Sequence, residues 1–437
     1  MPHYANKGLT VVGPRKIGPM QVIQEQRLTN QLFAPADIAL DYSRKTRLCR
    51  AISDQTWIRM GVHRVLGDVR SGREFLQQWN LQEQACVGVV QFFDSLASSR
   101  RCGLISEVNE LVARAMPEHK NSRLCEYDDF RKFDVYSGDG HYIAASAHEK
   151  PVQGKKRPSG SFYAQNMRTM GVTHLSVADL EGGLKKSEHD MHALKRLGAK
   201  ALRQGAKKGR KVLYAWDPAG IDIDQWGKWK NQDGIYLISR NKANMRLTEQ
   251  ARPDWDRDDP VNAGVKKDVR VTTECSSVPL RFIIYEDPQS GETYEFITTE
   301  MTIRPGLLAW VYKCRWDIEK TYDTFKNKLG QTKAWADSDQ SKLIQARFIC
   351  LAHNLMVLLE AAVGIEDEKE VRRAQKRNQQ AKDQACGRRA HFAPQYHNPR
   401  KRSQIGVKFI RWLRHCIQAK LQTTTAIQAL RVVYQTY

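Results

Sequence analysis

The sequence predicts an α/β protein whose N-terminal region is mainly helical. Three observations carry this. Apolar residues recur at three- and four-residue spacing from about residue 38 to 118, the period of an amphipathic helix. Residues 129–245 alternate strand-type runs with helical ones, the pattern of an α/β layer. Residues 246–300 then carry three more strand-like runs before a long helical stretch opens after Pro305.

Residues 1–128 form the helical region, preceded by a polar, irregular start over 1–30. Cys86-Val87, Val90, Phe92-Phe93 and Leu96 show its spacing, and Arg44, Lys45, Arg47, Arg50, Arg59, Arg64, Arg70 and Arg73 run through its first half. A helical DNA-binding domain and a helical cap on the following layer both fit. In 129–245, Phe133–Asp139, Ser161–Ala164, Val172–Val177, Lys211–Asp217 and Gly234–Arg240 read as strands and Ser187–Gln204 as a helix. In 246–300, Val269–Thr273, Leu280–Tyr285 and Thr293–Thr298 read as an inserted β piece, with a turn at 287–291. Residues 301–363 read as two helices, the second from Ser341 to Val363. Residues 364–437 form a basic C-terminal region: a polar connector from Glu366 to Arg402, then an amphipathic helix over Ile405–Leu421.

Composition narrows the function. The 437 residues carry 70 Lys+Arg against 48 Asp+Glu, a net charge of +22, which favours a polyanionic partner. The nine cysteines are widely spaced and contain no CxxC pair, which excludes a disulfide framework and a zinc ribbon and fits a reducing cytoplasm. The N-terminus lacks the apolar core of a signal peptide. The most apolar stretch, Cys350–Ile365, is interrupted by His353, Asn354 and Glu360 and reads as a buried helix, so no membrane partner is expected. No Walker-type phosphate loop is present.

Three acids stand where metal-dependent phosphoryl transfer would use them. Asp139 and Asp217 end strand-like runs, at the sheet rim where ligands gather in α/β folds. Glu319 lies on the helix that follows. Carboxylates without a nearby His or Cys are hard oxygen ligands suited to Mg²⁺ or Mn²⁺. Two such ions can activate a water or a 3′-hydroxyl and stabilise the leaving oxygen. Asp134 could stand in for Asp139, and Asp222 or Asp224 for Asp217. Arg315 and Glu319, four apart, also suit a plain intrahelical ion pair. On one continuous helix over about 304–328, Tyr312, Arg315, Glu319 and Lys326 fall within an arc of roughly 60° and span about 21 Å along the axis. A row that long suits contacts along a phosphate backbone.

The string Tyr312-Lys-Cys-Arg315-Trp-Asp-Ile-Glu319-Lys-Thr-Tyr-Asp-Thr-Phe-Lys326 resembles the Y-(2)-R-(3)-E-(6)-K signature of bacterial insertion-sequence transposases of family 4, in all four residues and all three gaps. Arg315–Glu319 is similar to the family's RW-x-IE core, and Phe296–Thr299 to the segment leading into this helix. Glu300 replaces the Asn that often follows Thr in the family. The resemblance spans roughly residues 130–360. It implies a ribonuclease-H-like catalytic core, with a β-strand insertion between the second Asp and the Glu. Asp139, Asp217 and Glu319 would hold two Mg²⁺ or Mn²⁺ ions. Tyr312, Arg315 and Lys326 would hold the DNA backbone, and Arg240 and Lys242 are added on charge. It implies a DNA transposase that binds terminal inverted repeats, cleaves, and joins 3′ ends to target DNA as a dimer or larger assembly, in the bacterial cytoplasm at the nucleoid. An inactive DNA-binding derivative and a purely hydrolytic nuclease are the alternatives.

Overall fold

The computed structural model describes residues 25–435, except 50, 69–70, 120–121, 152–153, 155, 157, 179–189, 289, 366–371, 374, 377–378 and 381–404. The polar start over 1–24 and most of the Glu366–Arg402 connector lie outside the described residues.

Five helices come first: α1 (Leu28–Tyr42), α2 (Asp54–Leu66), α3 (Gly72–Glu83), α4 (Val89–Leu96) and α5 (Ser99–Ala115). Serines set three of their starts. The side chains of Ser53, Ser71 and Ser98 accept the backbone N–H of Thr56, Glu74 and Arg101, satisfying donors the helix itself leaves open.

The layer that follows is mixed α/β. In chain order it comprises β1 (Phe133–Ile143), β2 (Ser159–Asn166), β3 (Val172–Val177), α6 (Asp190–Leu202), β4 (Lys211–Ala215), α7 (Ile223–Lys228), β5 (Ile235–Arg240), β6 (Leu247–Ala251), β7 (Val265–Thr273), β8 (Ser276–Glu286) and β9 (Thr293–Thr298). The strands form one nine-stranded sheet in the order β3-β2-β1-β4-β5-β9-β8-β7-β6. Its centre, β1-β4-β5, is parallel and all other pairings are antiparallel. The β-rich stretch is therefore no separate piece. Its last strand pairs with β5 (Ser239 opposite Ile297), so β6–β9 prolong the same sheet.

Strand alternation sorts the side chains onto two faces. Tyr136, Tyr214 and Trp216 point to one face, where they meet Trp226 and Leu194 of α6. Val135, Leu213, Ala215 and Ile238 point to the other, against Leu308 and Val311. Those two residues belong to α8 (Pro305–Cys314), which continues into α9 (Trp316–Asp323). The remaining described helices include α10 (Asp339–Val363), α11 (Val407–Gln418) and α12 (Thr423–Gln435).

The helical region is joined to the layer by a shared core. Apolar side chains of α1–α5, α10, α11 and α12 form one cluster, which also takes in Ile318, Tyr322 and Phe325. The N–H of Leu28 donates to Leu421 O at 3.0 Å, so the first described helix is anchored to the C-terminal pair. Two arginines of the expected basic face are internal. Arg59 pairs with Asp37 at 2.8 Å, and Arg64 is buried beside Phe92, Phe93 and Trp335. Among the described residues, α10 alone has the length and apolarity to cross a membrane, and most of that stretch is buried inside the protein. Its Asn354 accepts from Val172 N–H at 2.8 Å and donates to Val172 O at 2.9 Å, closing the open edge of β3.

One buried ion pair ties the prolonged part of the sheet to α8. Asp268 on β7 receives both arms of the Arg281 guanidinium from β8, with Nε–Oδ1 at 2.7 Å, and Arg281 also donates to Ile303 O. Asp268 is 3% exposed and Arg281 6%. Removing one partner leaves a buried charge unmatched, so Asp268→Ala is expected to cost about 3–5 kcal/mol. The measurement is a lowered urea midpoint at unchanged slope. A change below about 1 kcal/mol would reduce the pair to the worth of an exposed one.

Candidate functional site

The site begins with strand register. Ser137 of β1 pairs with Ala215 of β4, and Ala215 with Ile238 of β5. Carried two residues further, the same register sets Asp139, Asp217 and Arg240 in a row across the ends of the three parallel strands. All three share parity with Val135, Leu213 and Ile238, so they lie on the face that α8 covers. Asp217 sits just beyond β4 in extended backbone, and its carboxylate accepts Ala219 N–H at 2.9 Å. Asp139 accepts the Gly140 N–H at 2.8 Å.

Behind this row, on the opposite face, the Trp216 ring lies across Gly138. A β-carbon on Gly138 would come 1.8 Å from that ring, and one on Gly220 would come 2.6 Å from it. Glycine at 138 is what lets the ring lie flat against the neighbouring strand end.

The α8–α9 segment brings the third acid. Glu300 is buried and accepts N–H bonds from Thr302 and Ile303, which shapes the turn into Arg304 and Pro305. Arg304 then reaches Asp129 at 2.7 Å and Asp259 at 2.8 Å, fixing the start of α8 against β1's approach and the β7 loop. The expected single helix is divided. At Arg315 the hydrogen bonds tighten to three-residue spacing (Arg315 N–H to Tyr312 O, 3.0 Å; Ile318 N–H to Arg315 O, 3.2 Å), and residues 324–328 form a π turn closed by Leu329 N–H to Thr324 O at 2.9 Å. Each change alters the angle per residue, so Tyr312, Arg315, Glu319 and Lys326 do not share one straight stripe.

Their surroundings differ accordingly. Tyr312 is 4% exposed, its ring 5.0 Å from that of Phe296. Burial raises its phenol pKa against the opposing charges of Arg315 and Arg240. It is a floor beneath the arginines. Arg315 is buried and spans two carboxylates, Asp139 Oδ2 at 3.4 Å and Glu319 Oε1 at 3.4 Å, while its Nε is buried with no hydrogen-bond partner among the described residues. The plain Arg315–Glu319 pair expected of an isolated helix is thus half of a bridge. Lys326 is exposed. Arg240 is exposed and lies over the Tyr294 ring at 5.1 Å. Lys242 opens the turn after β5, its carbonyl accepting Met245 N–H at 3.0 Å.

The alternative acids have other duties. Asp134 is buried on the opposite parity, accepting Lys207 N–H at 2.7 Å and Arg210 at 3.1 Å. Asp222 caps α7 through Gln225 N–H and pairs with Lys195. Asp224 accepts the Ser276 hydroxyl.

One residue was missed. The carboxylates do have a histidine near them. β1 runs on to Ile143, which places His141 two residues past Asp139 on the same face. Its ring stacks on Tyr322 at 4.8 Å, and the Tyr322 hydroxyl donates to Asp139 O at 2.6 Å. Burial, with the nearby Lys326 charge, lowers the His141 pKa to about 4, so the ring is neutral near pH 7. Strand alternation beyond Asp139 was the signal for it.

Three carboxylates offer only hard oxygen donors, which fits a divalent ion such as Mg²⁺. Among the described residues no three His, Cys, Asp or Glu side chains stand close enough together to hold one as placed. Between two of the acids a cation is already present, the Arg315 guanidinium. No protein-family model matches the chain, and no curated protein matches it at a significant level.

Proposed function

We propose that this chain is a DNA transposase: it binds the inverted repeats at the ends of an insertion sequence, cleaves there, and joins the 3′ ends to target DNA by metal-dependent phosphoryl transfer. The observation that carries the reading is the register placing Asp139 beside Asp217, with Glu319 tied to Asp139 through Arg315. A sheet with two antiparallel strands outside a parallel β1-β4-β5 centre, and a third acid on a later helix, supports a ribonuclease-H-like core. The net charge of +22 supports a nucleic-acid partner.

In this reading Asp139, Asp217 and Glu319 hold Mg²⁺ or Mn²⁺. The bound ions supply the charge that makes a water or 3′-hydroxyl nucleophilic and stabilises the leaving oxygen. Arg315 offers a forked cation to a phosphate beside the carboxylates, and Lys326 and Arg240 offer exposed cations on either side. Tyr312 keeps Arg315 in place from below. Trp216 against Gly138 holds the two strand ends, so the carboxylates start close to their working positions. Two ends must be held together for joining, which calls for a dimer or larger assembly on DNA.

A strand-transfer assay with end-containing duplex DNA tests this. Joined product with Mg²⁺ is expected from the wild type, and Asp139→Ala, Asp217→Ala and Glu319→Ala should each lower it by at least about 10³-fold. Nicking without joining would make the protein a nuclease, and binding alone an inactive derivative. Full activity in all three variants would remove the triad.

A further inference from the structure

A second site lies far along the chain from the acids. A cleft of about 510 Å³, open to solvent, is formed where α2, α3 and α11 meet. Its lining contains two arginines, Arg64 and Arg414, several glutamines, and no Asp or Glu. Arg414 meets a carboxylate at its outer end, Asp68, which is 71% exposed. Arg64 meets none.

Arg64 is the anomaly. It is 5% exposed, and its Nη1 is buried without a hydrogen-bond partner among the described residues. Its guanidinium carbon lies 4.3 Å from the Trp335 ring centre, 5.5 Å from Phe92 and 5.6 Å from Phe93. Those ring faces attract the charge but accept no conventional hydrogen bond from its N–H groups. Burial without an acid lowers the Arg64 pKa to about 9, which leaves it charged near pH 7. A buried charge in this position is costly unless something pairs with it. Across the cleft the Trp79 indole N–H is likewise buried and without a partner among the described residues. A second donor therefore points to the same kind of missing group, an acceptor. The neighbouring His63 cannot be that anion, because a histidine ring is neutral or positive; burial and the Arg59 and Lys420 charges keep it neutral, with its pKa lowered to about 4.

We propose that this cleft binds a phosphate group, held by Arg64, Arg414 and the Trp79 N–H. A phosphate supplies several acceptor oxygens and negative charge at once, which matches two guanidinium forks and an indole donor with no lining acid. The phosphate belongs either to a nucleic-acid backbone or to a free phosphorylated molecule. The proposal is independent of the acidic site.

The test is thermal unfolding of the full chain titrated with inorganic phosphate against chloride at equal ionic strength. Phosphate is expected to raise the wild-type Tm progressively, as a ligand of the folded state does. Arg64→Met, which keeps the side-chain length between the rings, and Trp79→Phe, which keeps a ring, should each weaken the response by about tenfold in phosphate concentration. Asp139→Asn should leave it unchanged, which separates this site from the proposed catalytic one. Binding of a labelled DNA duplex then identifies the source. A matching loss in Arg64→Met, with competition by phosphate, assigns a backbone phosphate; unchanged DNA binding assigns a free phosphorylated ligand. An absent phosphate response in the wild type, or an undiminished one in both variants, overturns the proposal.

Discussion

Lowering the pH from 6.5 to 4 is expected to remove several kcal/mol of stability, through two histidines buried where β3 meets α10. His353 is fully buried, and its Nε2 lies 3.2 Å from Met170 O, so the neutral ring donates there. Its Nδ1 has no partner. A second proton would therefore create a charged, unmatched donor in the core, and burial lowers the His353 pKa to about 4. His174 on β3 is 5% exposed, edge-on to Tyr163, and neither ring nitrogen has a partner among the described residues. Burial, with the Arg347 charge adding to it, pushes its pKa well below the ordinary value. The sign follows from which state takes up protons. Below about pH 6.5 the unfolded chain protonates both rings while the folded protein does not, so stability falls with pH. For His353 the loss is complete near pH 4, where the folded ring also protonates. A shift of that size corresponds to about 3 kcal/mol for His353 alone. Urea midpoints between pH 7 and pH 4 measure it, and His353→Gln should flatten the curve. A midpoint flat across that window would refute the assignment.

These histidines show where sequence pattern stops. The run Val172–Val177 is legible as a strand because β-branched and apolar residues fill it, but pattern alone does not reveal that Asn354, 182 residues later, closes its edge. The parallel centre was also legible, because Val135, Leu213 and Ile238 belong to apolar runs of strand length. The register between those runs was not. Register is what sets Asp139, Asp217 and Arg240 side by side, and it depends on the turns and cores that connect the strands. Ending β1 at Gly138-Asp139 gave those residues the weight of a turn and hid His141. β6, with Thr248, Glu249 and Gln250 exposed on the outermost strand, has little apolar alternation to show. α12 went unread although Ala426, Leu430 and Tyr434 recur every four residues and are buried, since Thr423-Thr424-Thr425 favours a strand reading of its start. The motif helix was legible as helix but not as two segments. The tightening at Arg315 and the π turn after Asp323 are choices of hydrogen-bond partner made under the packing of Ile318, Tyr322 and Phe325 into the helical core.

Replacing Arg315 with methionine is expected to separate catalysis from metal binding. The guanidinium lies 3.4 Å from both Asp139 and Glu319, so it competes with any cation for the same oxygen lone pairs. Without it, two carboxylates face each other with no positive group between them, and their repulsion favours a divalent ion. Mn²⁺ bound to the DNA-free protein, followed by electron paramagnetic resonance or calorimetry, should therefore tighten in Arg315→Met. Strand joining should move the other way and fall by about 10²–10³-fold, the usual result of removing one preorganised charge donor from a developing phosphoryl charge. Arg315→Lys keeps the charge but loses the fork, and should leave Mn²⁺ affinity near wild type while recovering only part of the joining. The buried Arg315 Nε, which has no partner among the described residues, fits a side chain whose full set of contacts forms only when a phosphate is present. If Arg315→Met weakens Mn²⁺ binding, the guanidinium is an organiser of the carboxylates and not a competitor for their place. If joining survives at the wild-type rate, Arg315 has no part in the chemistry proposed for this face.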